Sequence, residues 1–227
     1  MSEHHDHDHD HGHGHPHPPH PKQPDLEDAP LGYYEQLALA LEELMIEKKV
    51  VGPGEVRAQI EYIDSRSPAD GARVVAHAWV DPAYKQRLLA NGSAAVEELG
   101  LTMDGTQLIV LENTPQLHNM VVCTLCSCYP RPVLGLPPDW YKSRTYRSRA
   151  VRAPRALLAE FGTFIPESTE IRVHDSTATM RYLVLPLRPP GTEGWSEAEL
   201  ARIVTRDSMI GVAVIKTPEG KPAALKT

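Results

Sequence analysis

Three cysteines stand within six residues of one another, at Cys123, Cys126 and Cys128, in the run Val121-Val122-Cys123-Thr124-Leu125-Cys126-Ser127-Cys128-Tyr129-Pro130, and the 227-residue chain has no others. A disulfide framework spreads its cysteines to staple distant loops, so this grouping points to metal or redox chemistry instead. A structural zinc site wants four tetrahedral ligands, usually as two separated pairs. Here a single C-x2-C is followed by one further Cys, with His118 as a candidate fourth ligand. A redox C-x-x-C expects a helix directly after it, where this chain has Cys128-Tyr129-Pro130. A third arrangement recruits the backbone. A metal on the Cys126 sulfur and the Ser127 nitrogen closes a ring of about six atoms along the planar peptide, and the Ser127 and Cys128 nitrogens close one of about five. The nitrogen and sulfur of Cys128 close another of about five on the same count. Those unstrained sizes give a square of two sulfurs and two nitrogens, with Cys123 reaching one axial position and the other open to water or substrate. Amide nitrogen is a very weak acid, so the square asks for a trivalent ion such as Co(III) or Fe(III) rather than Zn²⁺. Such an ion is a Lewis acid toward an unsaturated carbon–nitrogen group or a bound water. Cysteines so placed also oxidise readily to sulfenate and sulfinate.

The elements that must carry this loop can be read from periodicity and punctuation. Strands are predicted at 107–113 and 119–123, parted by Thr114-Pro115, and at 171–175 and 180–187, whose short Ser/Thr connection reads as a hairpin. Helices are predicted at 33–50, with Tyr34, Leu37, Leu41, Leu44 and Met45 toward one face and Gly52-Pro53 as the stop, and at 55–63. A third covers Gly71 to Val80, and a fourth has Asp81 as N-cap, Pro82 in its first turn and Asn91-Gly92 as its close. Two more follow at 154–160 and 196–204, the last opened by the Ser196/Glu199 capping box. The expected fold class is α+β: a helical N-terminal arm and small bundle at 31–100, then at 101–215 a layered domain of antiparallel or mixed strands that carries the metal-binding loop. Residues 216–227 read as a frayed end.

Composition narrows the rest. Hydrophobic residues make up 41% and charged residues 23%, the balance of a water-soluble globular chain. No apolar run approaches the ~20 residues that span a bilayer, and no apolar signal-peptide segment opens the chain, so no membrane role and a cytoplasmic setting are expected. The first 20 residues hold nine of the twelve histidines and four acids but no Lys or Arg, so more than half of the net charge of −7 sits there. Residues 1–30 read as a low-complexity tail that either gathers divalent metal ions or solubilises. From Arg131 to Arg155, seven basic residues (Arg131, Lys142, Arg144, Arg147, Arg149, Arg152 and Arg155) face one acid, Asp139. With no recognition motif and a body that is not basic, nucleic acid is not the expected partner, and an interface with an acidic partner chain is. His77 and His174 read as structural, and Trp79, Trp140 and Trp195 as packing anchors.

The segments VVCTLCSCYP and PVLGLPPDWYKS, with YRSRAVRAPRALLAEFG, IRVHDS, RYLVLPLRPPGTEGWSEAEL and VTRDSMIGVAV downstream and GARVVAHAWVDPAYKQRLLANG and IVLENTPQLHNMVVC upstream, resemble the alpha subunit of nitrile hydratase over residues 33–215. Thr124 between the first two cysteines resembles the cobalt type rather than the iron type. The resemblance implies one Co(III) per chain, with Fe(III) the lesser alternative. Cys123 would be the axial thiolate, Cys126 the sulfinate and Cys128 the sulfenate, with the amide nitrogens of Ser127 and Cys128 completing the plane. The Cys128 sulfenate would be the nucleophile or base. The resemblance also implies a beta subunit, in an alpha–beta heterodimer or its dimer, whose arginines clamp the oxidised cysteines, and it leaves room for a further small subunit or metallochaperone. The reaction implied is hydration of a nitrile to its amide by a hydro-lyase. Two positions expected near the substrate depart from the family pattern: Arg131 replaces the usual Trp after the cysteines, and Asp104-Gly105-Thr106 replaces Gln-Gly-Glu. An Arg there resembles the gamma subunit of thiocyanate hydrolase, a sister with the same cobalt site, and suits a small anion. Paired with Asp104, it would instead line a polar pocket for a larger functionalised nitrile. Outside catalysis, a metal carrier or a zinc-structural protein remains as a third reading.

Overall fold

The computed structural model describes residues 30–217. The expected tail, apart from its last residue, and positions 218–227 of the expected frayed end lie outside the described residues. The described chain divides into two units, one ending at Val51 and one beginning at Gly52. The first contains α1 (Tyr33–Glu47), whose entry is closed by the Glu35 carboxylate accepting from the Gly32 amide at 2.7 Å. The helix ends three residues short of the expected Val50, and its apolar stripe, including Tyr34, Leu37, Leu41 and Leu44, is exposed.

The second unit begins with four helices, α2 (Glu55–Ser65), α3 (Pro68–Val80), α4 (Pro82–Ala90) and α5 (Gly92–Glu97). Asp81 caps α4 as expected, accepting from the amides of Ala83 and Tyr84. Asn91, by contrast, does more than close α4. Its side chain accepts from the Ala94 amide at 3.1 Å and so starts α5, a helix the sequence reading missed because a stop signal and an N-cap fall on one residue. The small side chains of α3 (Gly71, Ala72, Ala76, Ala78) let it run through the core, packed on α4 and on later helices.

Four strands follow in two parallel pairs: β1 (Gln107–Glu112) with β4 (Met180–Leu185), and β2 (Leu117–Val122) with β3 (Glu170–Asp175). This corrects the expectation of antiparallel or mixed strands, and in particular of a hairpin between the third and fourth. The turn at Thr177–Met180, held by the Thr177 amide on the Met180 carbonyl, carries the chain off β3 and onto β1, where the Gln107 amide meets the Thr179 carbonyl at 2.8 Å. Burial accords with the parallel pairing in β2 and β4, while β3 keeps the alternation of a half-covered strand. Residues 118–122 of β2 and Leu183, Val184 and Leu185 of β4 are buried without a break, the pattern of strands covered on both faces rather than the alternation of a half-solvated hairpin.

Between β2 and β3 run α6 (Arg131–Leu134), α7 (Asp139–Lys142), α8 (Arg144–Arg152) and α9 (Pro154–Glu160), and after β4 come α10 (Glu197–Ile203) and α11 (Arg206–Ile210). The Ser196/Glu199 capping box forms as read. His118 ties β2 to the end of α11: its Nε2–H donates to the Gly211 carbonyl at 2.8 Å, leaving Nδ1 to accept from Asn113 at 3.4 Å. One hydrophobic cluster joins Val74 and Val75 of α3, Met120 to Val122 of β2, Tyr141, Tyr146 and Leu183. The helices and the strands therefore share a core, and the C-terminal end of β2 delivers the chain to its surface at Cys123.

Candidate metal centre

Cys123 follows the last residue of β2 and is buried, Cys126 is exposed and Cys128 is half-buried between them. The three sulfur atoms lie within 4.8 Å of one another, with Cys123 and Cys126 at 3.4 Å and Cys126 and Cys128 at 3.3 Å. Among the described residues they form the one such group of possible metal ligands, and His118, committed to Gly211, is not part of it. The Cys126 thiol is drawn down to about 7 by hydrogen bonds from the thiols of Cys128 and Cys123 and then from the Ser127 amide, with the Cys128 amide adding to them. Cys128 is pushed up to about 12, first by burial and then by the neighbouring Cys126, while Arg181 pulls it the other way.

Whether these residues fit a metal is tested by their donor chemistry, since the Cys126 amide already turns onto the Cys123 sulfur at 3.2 Å and curls the loop around its own sulfurs. Three soft sulfurs gather within 4.8 Å, and the Ser127 and Cys128 amides lie in the stretch of chain that joins two of them, where the chelate rings require nitrogen donors. The loop fits a metal ion.

The loop owes its shape to residues distant in sequence. Asp175, at the end of β3 beside Val122, accepts from the Thr124 amide at 2.9 Å and the Thr124 hydroxyl at 2.5 Å. Tyr141 donates to the Cys128 carbonyl at 2.8 Å and Tyr146 to the Val121 carbonyl at 2.7 Å. Burial raises both phenols well above their ordinary range, so they remain neutral donors. The sequence reading named none of these three in a positioning role. The Thr that can accept a partner was visible, but the partner's identity depends on the parallel β2–β3 register.

A cleft of about 410 Å³ opens beside the loop, lined by Cys126, Ser127 and Cys128 together with Asp104, Arg131, Arg181, Arg66 and Tyr62. Both departures noted in the sequence, Asp104 and Arg131, therefore reach the cysteines' cleft. They do not pair with each other: Asp104 accepts from the Thr102 hydroxyl at 2.8 Å, and no ion pair joins it to Arg131 among the described residues. Arg66 and Arg181 were not singled out from sequence, and only the fold shows that they share this cleft.

The basic run is divided rather than presented as one face. Lys142 pairs with Asp139 at 2.9 Å, Arg149 with Glu160, and Arg155 binds the carbonyls of Ile165 and Thr169 at 2.6 and 2.8 Å. Arg144, Arg147 and Arg152 line an open depression next to Thr124. His77 meets Glu197 at 2.9 Å and His174 meets Asn119 at 2.9 Å, both in structural roles. Trp79 donates to the Pro186 carbonyl at 2.9 Å, Trp195 is buried, and Trp140 stacks edge-on to Tyr146.

The nitrile hydratase alpha-chain family matches residues 32–213. A nitrile hydratase alpha subunit from a Rhodococcus species is 54% identical over 182 residues, covering 79% of this chain and 92% of that one. A cobalt-containing nitrile hydratase alpha subunit from Pseudonocardia thermophila is 53% identical over 180 residues, covering 78% and 88%. Among solved structures, a recombinant thiocyanate hydrolase described as comprising partially modified cobalt centres superposes with a TM-score of 0.77 at 44% identity, over 87% of this chain and 98% of the other. With the match running from the exposed first helix through the cysteine loop to the residues after α11, this chain belongs to the nitrile hydratase alpha-chain family.

Proposed function

We propose that the chain is the metal-binding alpha subunit of a cobalt nitrile hydratase, which adds water to a nitrile to give the amide, and that it works with a beta subunit in the cytoplasm. The observation that carries the reading is the group of three sulfurs within 4.8 Å of one another at the edge of a cleft. Cys123, Cys126 and Cys128 and the amide nitrogens of Ser127 and Cys128 would hold Co(III), with Fe(III) the lesser alternative. A metal held there supplies Lewis acidity toward the carbon–nitrogen group of a substrate.

The chain's own residues do the rest. Cys123, buried at the end of β2, anchors the donor set from beneath. Cys128, as a sulfenate, presents an oxygen to the cleft that can take a proton from water or attack the nitrile carbon, and Cys126 is assigned the sulfinate. Ser127 contributes its backbone nitrogen and is one of the residues that line the cleft. The Thr124–Asp175 contact and the Tyr141 donor hold the loop while protons move.

Arg131 in the cleft favours a second reading, the gamma subunit of a thiocyanate hydrolase. The test is to co-express the chain with its partner, assay cobalt and zinc by elemental analysis, and measure amide release from a nitrile beside ammonia release from thiocyanate. Roughly one cobalt per chain with amide formation supports the main reading, and mass spectrometry is expected to show oxygen added at Cys126 and Cys128. A colourless zinc protein with three unmodified cysteines would overturn it.

A further inference from the structure

We propose that the cleft beside the cysteine loop selects substrates that carry a negative charge at the end opposite their cyano group, and that Arg66 and Arg131 receive that charge. The inference rests on the nitrile hydratase reading and names the class of nitrile, an ω-cyanocarboxylate.

The lining of the cleft supports this in three ways. Three of its side chains are arginines, Arg66, Arg131 and Arg181, against a single acid, Asp104, one of whose oxygens is taken by Thr102. Of the three, Arg181 is held in place by the carbonyls of Thr177 and Met180. Arg131 makes no side-chain hydrogen bond or ion pair among the described residues. Arg66 lies with its guanidinium 4.3 Å from the centre of the Tyr62 ring and with its Nε buried and lacking an acceptor. The terminal guanidinium nitrogens of Arg66 and Arg131 make no hydrogen bond among the described residues, and a carboxylate is the group whose two oxygens match such a fork.

The fold also brings these two arginines to one wall. Arg66 follows the last residue of α2, and α6 begins at Arg131 and ends against the Arg66 backbone: a side chain at Gly135 would stand 2.5 Å from the Arg66 carbonyl oxygen. Ser127 and Cys128 stand at the cysteine loop of the same cleft. Size separates the possible anions. A cleft of about 410 Å³ lies in the range of pockets that take small organic molecules, whereas thiocyanate has only three heavy atoms. A chain of a few methylenes between the two ends uses that space and lies along the apolar stems of Ile63, Met103 and Pro132. The reaction is an addition: water's oxygen bonds to the nitrile carbon, its two protons end on nitrogen, and the remote carboxylate is unchanged, so no oxidant or reductant is needed.

The experiment uses the cobalt-loaded complex with its partner subunit. It compares kcat/KM for 4-cyanobutanoate, for neutral pentanenitrile and for thiocyanate, with pentanoate as an unreactive ligand followed by calorimetry. The expected result is at least a tenfold preference for 4-cyanobutanoate over pentanenitrile, carried mainly by KM. In Arg66→Gln and Arg131→Gln that ratio falls about tenfold or more, and pentanoate binding weakens in step. A merely structural role would lower both nitriles together and leave the ratio unchanged, which would overturn the inference. A preference for thiocyanate over both nitriles would overturn it as well. Failure of a fully cobalt-loaded complex on every nitrile, neutral or charged, would overturn the underlying functional reading instead.

Discussion

Asp175 carries more of the candidate centre than its place outside the cysteine cluster suggests. Its two oxygens take both the amide and the hydroxyl of Thr124, fixing the residue between the buried Cys123 and the exposed Cys126. Without that contact the loop would have to be ordered by the metal alone, and the entropy of ordering it would be charged to binding. Asp175→Ala is therefore expected to reduce cobalt content under limiting metal by about tenfold, in the range known for residues that support ligands rather than coordinate. Asp175→Asn, which keeps one acceptor, should fall between. Elemental analysis of the purified complex at several cobalt concentrations checks it, and equal loading of all three proteins would show that the loop is ordered by other means. The cysteines were legible in the sequence because their chemistry lies in their spacing, within six residues. Asp175 was not, since it stands 51 residues from Thr124 and meets it only through strand pairing. Arg131 and Asp104 were legible as departures from a family pattern, while Arg66 had no pattern to depart from.

At the level of elements, the cleft depends on short pieces that periodicity does not reveal. Helices of four residues, such as α6 and α7, complete barely one turn, so no repeat of apolar positions exists to be read. Helices α4 and α10 were legible from their caps, Asp81 and the Ser196/Glu199 box. The strands were located, but their pairing was not, because continuous burial in β2 and β4 reports coverage on both faces and says nothing of which neighbour lies beside them. What fixes α6 against α2 is Gly135, with φ +68° and ψ −150°, a backbone region that only glycine occupies without strain. Gly135→Ala adds a Cβ to that strain and drives it against the Arg66 carbonyl. The expected cost is about 1–3 kcal/mol of stability, read as a lower melting temperature of the complex. Because the same contact sets the wall that holds Arg66 and Arg131, the preference for charged over neutral nitriles should fall in the same variant. Unchanged melting would mean that the turn yields.

For the molecule as a whole, acid stability follows from two histidines that the fold keeps neutral. Burial lowers the pKa of His118 from its ordinary value of 6.5, partly offset by the bond to Gly211, and burial followed by the charge of Arg172 lowers that of His174. In the unfolded chain both regain ordinary values near 6.5. Below that value the unfolded state binds protons that the folded state refuses, so stability falls with pH until the depressed folded values are passed. Their contribution is complete above about pH 6.5 and is lost as the medium is acidified. The bonds at stake are central ones. His118 ties β2 to the end of α11, and His174 of β3 binds Asn119 of β2, so protonation loosens the strands that carry Cys123 and Asp175. The melting midpoint of the metal-loaded complex is expected to drop between pH 7 and 5. His118→Gln, which cannot titrate, should flatten that dependence while lowering the midpoint at pH 7, and adding His174→Gln should flatten it further. A slope unaltered in both variants would place the acid sensitivity in carboxylates instead, whose protonation acts at lower pH.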